Sequence, residues 1–483
     1  MPFSADPPRL SLLPMYGRTC GNRSPLTCQL KCSSACAHEV PNQSGAPTFR
    51  DIATLQLSRR QVLVAGSALS AAAAIPGWLP EESSAAPRAA KATLAFTPIA
   101  PVDPLVDDVT VPAGYDWKAI LRWGDPLFRN SPSFDPAVPN ANHQELQFGY
   151  NNDYLDILVT DRRGRKALLC CNHEYVNRSI MFPPLSFPQE FEAIRATIAA
   201  VGMSVVELER NGRGRPWRYL RGGRKNRRIT AATPFRLTGP VAGDALVTTV
   251  ADPSGRRVLG TFGNCAGGTT PWGTILSGEE NFNTYFLADA SARGSRRYGL
   301  GVPTSGATEN KWEMVDPRFN ATLDGFKNEP HRFGYIVEID PSDPTSTPRK
   351  HTAMGRFKHE GANVRVDPNG TVVAYMGDDE RFDYLYKFVA RRKYTPGNSA
   401  RARRRNLELL TEGDLYVAKF SGEKQPVEVD NLGTGEWIPL TRDGRSLVAG
   451  FSDAEVLVFT REAADAVDAT PMDRPEDVEP SLR

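Results

Sequence analysis

The sequence has little of several features that mark particular protein classes. Across 483 residues, 58 Lys and Arg stand against 56 Asp and Glu, which excludes the strong positive charge of a dedicated nucleic-acid-binding protein. The seven cysteines are too few for a disulfide-stapled scaffold. The apolar stretch at residues 62–75 is shorter than the roughly 20 residues of a membrane-spanning helix. These absences predict a globular protein with no nucleic-acid partner and no stable membrane anchor.

Glycine and proline, by contrast, are abundant, with 40 and 39 residues spread along the chain. Turn residues that recur at short intervals favour many short strands over long helices. We therefore predict a mainly all-β fold, either a β-propeller with loop and short-helix insertions or, as the alternative, a multi-sheet sandwich. The alternating apolar runs predict strands at 166–171, 335–339, 371–376, 384–389, 415–420 and 456–460.

Two local patterns are more specific. The sequence Asp-Pro-Asn-Gly at 367–370 predicts a tight hairpin, because Asn-Gly supplies the positive φ angles that such a turn needs. Apolar residues at three- and four-residue spacing predict a helix over residues 188–201.

The N-terminal region carries an apparent export signal. A twin arginine, Arg59-Arg60, precedes the apolar run, and small residues near 83–87 offer a cleavage site. This order is typical of the Tat pathway, whereas the alternative is a buried alanine-rich helix. We predict a periplasmic or secreted protein with the Tat translocase as its export partner. The chain then divides into a leader extension at 1–56, a signal region at 57–90 and a propeller domain at 91–483.

The leader extension contains most of the cysteines. Their spacing contains no Cys-x2-Cys pair, so it is weak support for a zinc or iron–sulfur site. The segment would also be removed with the signal, which favours a role before export or none. The four cysteines are Cys20, Cys28, Cys32 and Cys36.

Two arginine-rich stretches interrupt the strand pattern. Residues 210–228 contain nine Lys and Arg, and residues 391–405 contain seven. Aromatic residues nearby make contact with RNA or lipopolysaccharide conceivable. Charge runs are more often solvated hairpins or loops, and we interpret both stretches in that way.

Five short clusters place metal-binding side chains at predicted strand ends or turns. The first, Cys-Cys-Asn-His-Glu-Tyr at 170–175, combines a thiol, an imidazole and a carboxylate, which together suit a soft or borderline metal. Cys171 and Glu174 are its candidate ligands. A disulfide between Cys171 and Cys265, or a structural role for a buried Cys171, are the alternatives.

The second cluster, at 264–281, ends in Glu279 and Glu280. Neighbouring side chains on an extended chain point to opposite faces. Only one of the two carboxylates can therefore face a given site, unless the strand ends there in a bulge or turn.

The other three clusters mix carboxylates with cations. In the third, at 356–361, Glu360 would hold a metal while Arg356 or Lys358 binds an oxyanion. The fourth, at 377–380, is acidic and suits Ca²⁺, with Asp378 as a candidate ligand. In the fifth, at 472–477, acidic residues flank an arginine; its candidates are Asp473, Arg474 and Glu476.

The five clusters together indicate a multinuclear metal centre that binds an anion, and phosphate fits this arrangement of charge. The sequence has no Gly-x-Ser-x-Gly motif for a serine nucleophile, which favours metal-assisted hydrolysis.

At the level of whole motifs the chain resembles the PhoX-type alkaline phosphatases. The similar motifs occur in order over residues 20–60 and 140–477. They include Phe148-Gly-Tyr-Asn-Asn-Asp-Tyr154, Cys171-Asn-His-Glu-Tyr175, Cys265-Ala-Gly-Gly268, Glu279-Glu-Asn-Phe282, Gly355-Arg-Phe-Lys-His-Glu-Gly-Ala362, Gly377-Asp-Asp379 and Met472-Asp-Arg-Pro-Glu-Asp477.

The resemblance implies an exported phosphomonoesterase for phosphate acquisition, built on a six-bladed propeller and acting on small phosphate esters. It implies a centre of Fe³⁺ and Ca²⁺, with Cys171 as an iron ligand. It implies phosphate contacts from Arg356, Lys358 and Arg474. Its candidate metal ligands are Glu174, Glu280, Glu360, Asp473 and Glu476.

The chain departs from the family at its C-terminus. Family members usually continue well beyond the Met-Asp-Arg-Pro-Glu motif, whereas this sequence ends at Arg483. The departure implies an open ring with exposed strand edges, and a cluster at 473–477 on an unanchored tail. Two other functions compete with the phosphatase: a calcium-dependent propeller lactonase or phosphotriesterase with no role for Cys171, and a non-catalytic exported propeller.

Overall fold

The computed structural model describes residues 39–56, 96–103, 106, 108–303, 305–397, 399–421 and 434–480. The twin arginine and the four N-terminal cysteines lie outside these residues. Within them, no helix combines the length and the apolar character needed to cross a membrane.

The first sheet has five strands and is buried most deeply at its centre. Strand β2 is buried at every position after its first residue, and it lies between β1 and β3 in antiparallel pairing. Alternate β2 side chains therefore enter two separate apolar clusters, one on each face of the sheet. The strands are β1 (Asn152–Val159), β2 (Lys166–His173), β3 (Gly202–Glu209), β4 (Arg218–Tyr219) and β5 (Arg227–Ile229).

The second sheet has six strands in the order β7-β6-β11-β10-β9-β8. The pairing of β6 with β11 is parallel, and the other pairings are antiparallel. Its outer strand β8 lies close to β1, where Tyr154 and Thr269 are joined by a 3.0 Å hydrogen bond between their hydroxyls. The strands are β6 (Pro234–Thr238), β7 (Arg257–Leu259), β8 (Asn264–Thr269), β9 (Ile275–Glu279), β10 (Ile336–Ile339) and β11 (Arg349–His351).

The third sheet has five antiparallel strands, and two small sheets have two strands each. The predicted turn at 367–370 joins β12 to β13 as a hairpin. In one small sheet β14 pairs with β20, which anchors the C-terminal segment; in the other, β18 pairs with β19. The strands are β12 (Asn363–Val366), β13 (Val372–Gly377), β14 (Arg381–Asp383), β15 (Leu385–Ala390), β16 (Gly413–Ser421), β17 (Thr434–Pro439), β18 (Thr441–Arg442), β19 (Arg445–Ser446) and β20 (Met472–Asp473).

Helices are short, and the predicted helix at 188–201 is the longest of those in the described chain. The helices are α1 (Phe49–Gln56), α2 (Ala141–Gln144), α3 (Arg178–Met181), α4 (Gln189–Ala200), α5 (Ala400–Asn406), α6 (Glu455–Val458) and α7 (Thr460–Asp465), supplemented by 3₁₀ turns.

The predicted strand at 456–460 is wrong, because this segment forms α6 and the start of α7. Ser452 and Glu455 make the reciprocal hydrogen bonds of a helix capping box: the Ser452 N–H donates to the Glu455 carboxylate at 2.8 Å, and the Glu455 N–H donates to the Ser452 hydroxyl at 3.2 Å. A short buried apolar run does not by itself distinguish a strand from a helix. The capping hydrogen bonds of Ser452 and Glu455 favour the helix. Its Ser-x-x-Glu pattern is visible in the sequence.

The mainly β class predicted from the glycine and proline content is confirmed by these sheets. The other five predicted strands coincide with β2, β10, β13, β15 and β16 to within two residues at each end. The complete ring of six blades stays a prediction.

Residues 39–56, predicted to belong to a removable leader, pack against the main body. Asn42 is buried and donates a 2.9 Å hydrogen bond to the Tyr384 hydroxyl. The Phe49 N–H donates to the carbonyl of Pro471 at 2.8 Å, and its ring meets that of Phe420 edge-on at 5.2 Å. The segment therefore contacts the same region of the chain that leads into β20.

Candidate metal centre

Seven side chains from separate parts of the chain converge in three overlapping groups. Within each group the candidate ligand atoms lie within 4.8 Å of one another. The groups share Cys265 and Glu360, so that six carboxylates and one thiol form a continuous series. The groups are Asp153, Glu174 and Cys265; Cys265, Glu280 and Glu360; and Glu360, Asp379 and Glu476.

The first group forms where the first and second sheets meet. Glu174 directly follows β2, and its N–H donates to the carbonyl of Asn151 at 3.0 Å. Asn172 donates a 2.5 Å hydrogen bond to the carbonyl of Cys265, which draws β8 towards the end of β2. The Cys265 thiol donates to Asp153 Oδ2 at 3.6 Å, so the thiol already faces a carboxylate of the group.

Glu279 and Glu280 were both candidate metal ligands, and the structure places only Glu280 in the three groups. Glu279 lies inside the second sheet, where it accepts hydrogen bonds from Lys350 Nζ at 2.6 Å and from Thr261 Oγ1 at 2.8 Å. Glu280, the first residue after β9, enters the second and central group. Only one of these adjacent carboxylates is therefore available to a metal.

Glu360 reaches the group because its loop crosses directly over Gly278. A Cβ atom at Gly278 would lie 2.2 Å from the carbonyl oxygen of His359 and 2.7 Å from that of Glu360. Such distances exclude any side chain at this position. The glycine is thus what permits the Glu360 loop to lie against β9.

The third group depends on an equivalent crossing at Gly377. A Cβ atom there would lie 2.0 Å from the carbonyl oxygen of Glu476. The segment is held further by Arg474, which forms ion pairs with Asp379 and, at 3.0 Å, with Glu476. The prediction of an unanchored tail at 473–477 is therefore wrong: β20, Gly377 and these ion pairs fix the segment.

Arg474 itself has a left-handed backbone, with φ of 56°. For a residue other than glycine this conformation costs about 1 kcal/mol or more, and it persists only where the surroundings enforce it. The two ion pairs of Arg474 supply that enforcement, so its guanidinium is held at the edge of the third group.

Negative charge is concentrated in this centre. Burial, followed by the nearby charge of Glu280, raises the pKa of Asp379 to about 7. Most of the seven side chains are buried, and Asp153 and Glu476 are partly exposed at the two ends of the series. A multivalent cation would offset this mutual repulsion.

An open cleft of about 360 Å³ leads to the centre. Asp153 lines it directly, and so do residues that immediately follow three other members of the series: Ala266, Gly361 and Asp477. The rings of Tyr154 and Tyr375 form part of its wall. A small ester can therefore approach the carboxylates from solvent.

The structure places several predicted site residues outside the three groups. Cys171 lies in an apolar cluster of the first sheet, where burial raises the pKa of its thiol to about 12. Neither Cys171 nor Cys265 is in a disulfide, so the alternative pairing of the two is not formed. Asp378 is paired with Arg461, and Asp473 is exposed on β20.

Of the predicted phosphate-binding cations, Arg474 forms ion pairs with two members of the groups, Asp379 and Glu476. Lys358 is buried and donates to Glu380 Oε2 at 2.7 Å. Burial opposes ionisation of Glu380, but the charges of Lys358 and Arg461 and the hydrogen bonds to the carboxylate together lower its pKa to about 2.

Arg356 has a different environment from the one predicted. Its guanidinium donates to the backbone carbonyls of Pro330, Phe333 and Val458 at 3.0–3.2 Å. The group also lies over the Tyr298 ring, with 4.1 Å between its Cζ and the ring centroid. These contacts give Arg356 a structural role.

Replacing Arg356 by methionine is expected to lower stability rather than substrate affinity. The change removes a charged donor from three buried carbonyls, of which that of Val458 keeps the Tyr298 hydroxyl and that of Pro330 keeps the Phe333 N–H. Loss of the charged donor costs about 2–3 kcal/mol of unfolding free energy. Urea unfolding would measure this loss, while the KM for a phosphate ester should stay within about twofold of the wild type. A KM that rises tenfold with unchanged stability would restore Arg356 as a phosphate contact.

Sequence reasoning missed three members of the groups: Asp153, Cys265 and Asp379. Asp153 lies within the motif Phe148-Gly-Tyr-Asn-Asn-Asp-Tyr154, in which no residue was predicted to bind metal. Asp379 is the neighbour of Asp378, which was the predicted ligand. For Cys265, the closeness of Gly267 and Gly268 was a usable signal, since small residues let a strand approach its neighbour closely.

The donor set fits hard and borderline metal ions. Carboxylate oxygens are the ligands of Ca²⁺, and the Cys265 thiol adds one soft donor to the first two groups. The third group, Glu360, Asp379 and Glu476, offers oxygen alone.

Comparisons with known proteins show which family the chain is similar to. A family model described as "Alkaline phosphatase PhoX" matches residues 94–483. The solved structure of Pseudomonas fluorescens PhoX in complex with vanadate, a transition state analogue, is similar with a TM-score of 0.67 and 42% sequence identity. The match covers 76% of this chain and 63% of that one, so this chain spans less than two thirds of its relative. A search of curated protein sequences found no match.

Proposed function

The chain belongs to the PhoX alkaline phosphatase family, and from this premise we propose that it hydrolyses phosphate monoesters and releases inorganic phosphate. One observation supports the proposal above all: three overlapping groups of metal-binding side chains lie beside a guanidinium, Arg474, at the end of an open cleft. This arrangement can hold cations and a phosphoryl group together.

Metal ions bound here would withdraw electron density from the phosphoryl group and neutralise charge on the attacking and leaving oxygens. The carboxylates of the three groups are the residues that would hold those ions. Arg474 lies within reach of the third group and is suited to bind a non-bridging phosphate oxygen through its planar fork. The cleft orients the rest of the ester and admits water.

We assign the metals by the chemistry of the donors. The groups that contain Cys265 suit Fe³⁺ because they combine a thiol with carboxylates, and the all-carboxylate group suits Ca²⁺. Cys265 thereby replaces Cys171, which was the iron ligand predicted from the sequence. Glu174, Glu280, Glu360 and Glu476 keep their predicted roles as ligands.

Export by the Tat pathway completes the proposal. The twin arginine at 59–60 supports it, and the family membership agrees with an extracytoplasmic site of action. Tat carries folded proteins, so the metal centre could be assembled before export. The substrates would be small phosphate esters outside the cytoplasm.

Removal of the metal ions tests the function. We expect hydrolysis of p-nitrophenyl phosphate at alkaline pH to fall at least about 100-fold after calcium chelation and to return when calcium is added. Elemental analysis of the purified protein should find iron together with calcium.

Four outcomes would contradict parts of this assignment. Full activity after chelation would exclude a calcium-dependent phosphatase. Calcium without iron would exclude the Fe³⁺ assignment at Cys265. Metal binding without hydrolysis of any phosphate monoester would favour the non-catalytic propeller, and hydrolysis of a lactone or phosphotriester instead would favour the alternative enzyme.

A further inference from the structure

We infer that the buried ion pair between Asp378 and Arg461 is a positioning device, which fixes the distance between two loops that carry Glu360 and Asp379. The inference rests on the proposed metal centre in one respect, namely that these two carboxylates share a metal ion. The pair itself lies outside the three groups and would not touch metal or substrate.

The pair is fully buried and has the geometry of a two-pronged contact. Arg461 Nε donates to Asp378 Oδ2 at 2.8 Å, and Nη2 donates to Oδ1 at 2.5 Å. Both side chains have no exposed surface. An arginine that binds both oxygens of a carboxylate fixes its orientation as well as its charge.

The same carboxylate connects the two loops. Asp378 Oδ1 accepts a hydrogen bond of 3.3 Å from the N–H of Lys358, two residues before Glu360. In return, the N–H of Asp379 donates to the carbonyl of Lys358 at 3.0 Å. Lys358 and Glu380 add an ion pair between the loops at 2.7 Å. Glu360 and Asp379, on either side of these bonds, belong to one metal-binding group.

Arg461 is itself held at a fixed point. It lies at the start of α7, and its Nη1 donates to the carbonyl of Arg297 at 3.1 Å. Its backbone N–H donates to the Tyr298 hydroxyl at 3.3 Å. Arg297 in turn binds Asp383 through two hydrogen bonds, of 2.6 and 3.0 Å. The guanidinium is thus a rigid support to which both loops are tied.

The pair also decides which of two adjacent aspartates enters the centre. Asp378 and Asp379 follow β13. The side chain of Asp378 contacts Arg461, whereas that of Asp379 lies with Glu360 and Glu476. Because Arg461 holds Asp378 in the protein interior, Asp379 is the residue that faces Glu360 and Glu476. A lysine at position 461 would keep the positive charge but could not bind both oxygens and the Arg297 carbonyl at once.

The test compares Arg461→Lys with Arg332→Lys in the full chain. Arg332 is a matched control because it is equally buried and paired with Asp252 at 3.3 Å, away from the three groups. Calcium binding to chelator-treated protein is measured by isothermal titration calorimetry. Amide hydrogen exchange in the metal-free state is measured by mass spectrometry for peptides that cover 357–361 and 377–381.

We expect both variants to melt at a lower temperature. Arg461→Lys alone should weaken calcium binding at least about tenfold and speed exchange in both loops, because only this change releases them. If Arg461→Lys fails to fold, Asp378→Asn with the control Asp252→Asn makes the same comparison through a substitution of equal size.

The two measurements separate the positioning role from the metal centre. Faster exchange in both loops of Arg461→Lys supports the positioning role even if the wild type binds no calcium, a result that would contradict the metal centre alone. Wild-type exchange in both loops would overturn the positioning role. So would an equal loss of calcium affinity in Arg332→Lys, because the effect would then reflect stability.

Discussion

Replacement of Glu360 by glutamine is expected to reduce phosphatase activity at least about 10³-fold, which corresponds to about 4 kcal/mol of transition-state stabilisation. Glu360 belongs to two of the three groups, so its replacement weakens a ligand of both at once. Glutamine keeps the size and one carbonyl oxygen but removes the negative charge. We therefore expect the fold to persist while the protein loses metal.

Metal content and activity should be measured on the same preparation of Glu360→Gln. Glu209→Gln is the matched control, because it makes the same substitution in an exposed ion pair with Arg218, at 3.2 Å. An exposed pair contributes at most about 1 kcal/mol, so this control should retain activity and metal. A Glu360→Gln enzyme with its full metal content and more than a tenth of wild-type activity would contradict the shared-ligand assignment.

The strands were predictable because their signals are local. Alternating apolar residues and the turn at 367–370 specify β12 and β13 without reference to the rest of the chain. The one wrong strand, at 456–460, lies in a run that is buried on all sides, where periodicity carries no information. The capping pair Ser452 and Glu455 would have identified the helix.

The metal centre was predictable by segment but not always by residue. All five sequence clusters contribute a member to the three groups, yet two neighbours, Asp378 and Glu279, serve as internal partners of Arg461 and Lys350. Which of two adjacent carboxylates pairs with a cation, and which one is left to face the metal centre, depends on an arginine or lysine that is distant in sequence. Neither the Arg461 nor the Lys350 pairing has a local signal.

The arginines illustrate the same limit. Arg356 and Arg474 both belong to sequence clusters that contain acidic residues, and both were predicted to bind phosphate. Arg356 is enclosed by carbonyls from two other segments, whereas Arg474 lies at the edge of the third group. The structural role of Arg356 and the proposed phosphate-binding role of Arg474 differ in what surrounds each guanidinium. Those surroundings depend on the complete fold and not on the local sequence.

Cys265→Ala is expected to remove iron and to lower activity at least about 100-fold, or about 3 kcal/mol, whereas Cys171→Ala is expected to keep both. Cys265 belongs to two groups, and its thiol lies 3.6 Å from Asp153 Oδ2. Cys171 faces an apolar cluster with Phe148 and Leu169, where burial disfavours the thiolate that a metal requires. Both cysteines are buried, but the Cys265 thiol contacts a carboxylate whereas the Cys171 thiol is surrounded by apolar side chains.

The pair of variants provides its own control, because each removes one sulfur from a buried site. Cys171→Ala should lose about 1 kcal/mol of stability through the small cavity it leaves, with iron retained. Iron content by elemental analysis therefore distinguishes the two proteins, and urea unfolding measures the stability that Cys171→Ala loses while it keeps its iron. Loss of iron from Cys171→Ala, with iron retained in Cys265→Ala, would return the ligand role to Cys171. That result would also require β2 to turn its side chain out of the apolar cluster when metal binds, since the Cys171 thiol lies within that cluster in the structure.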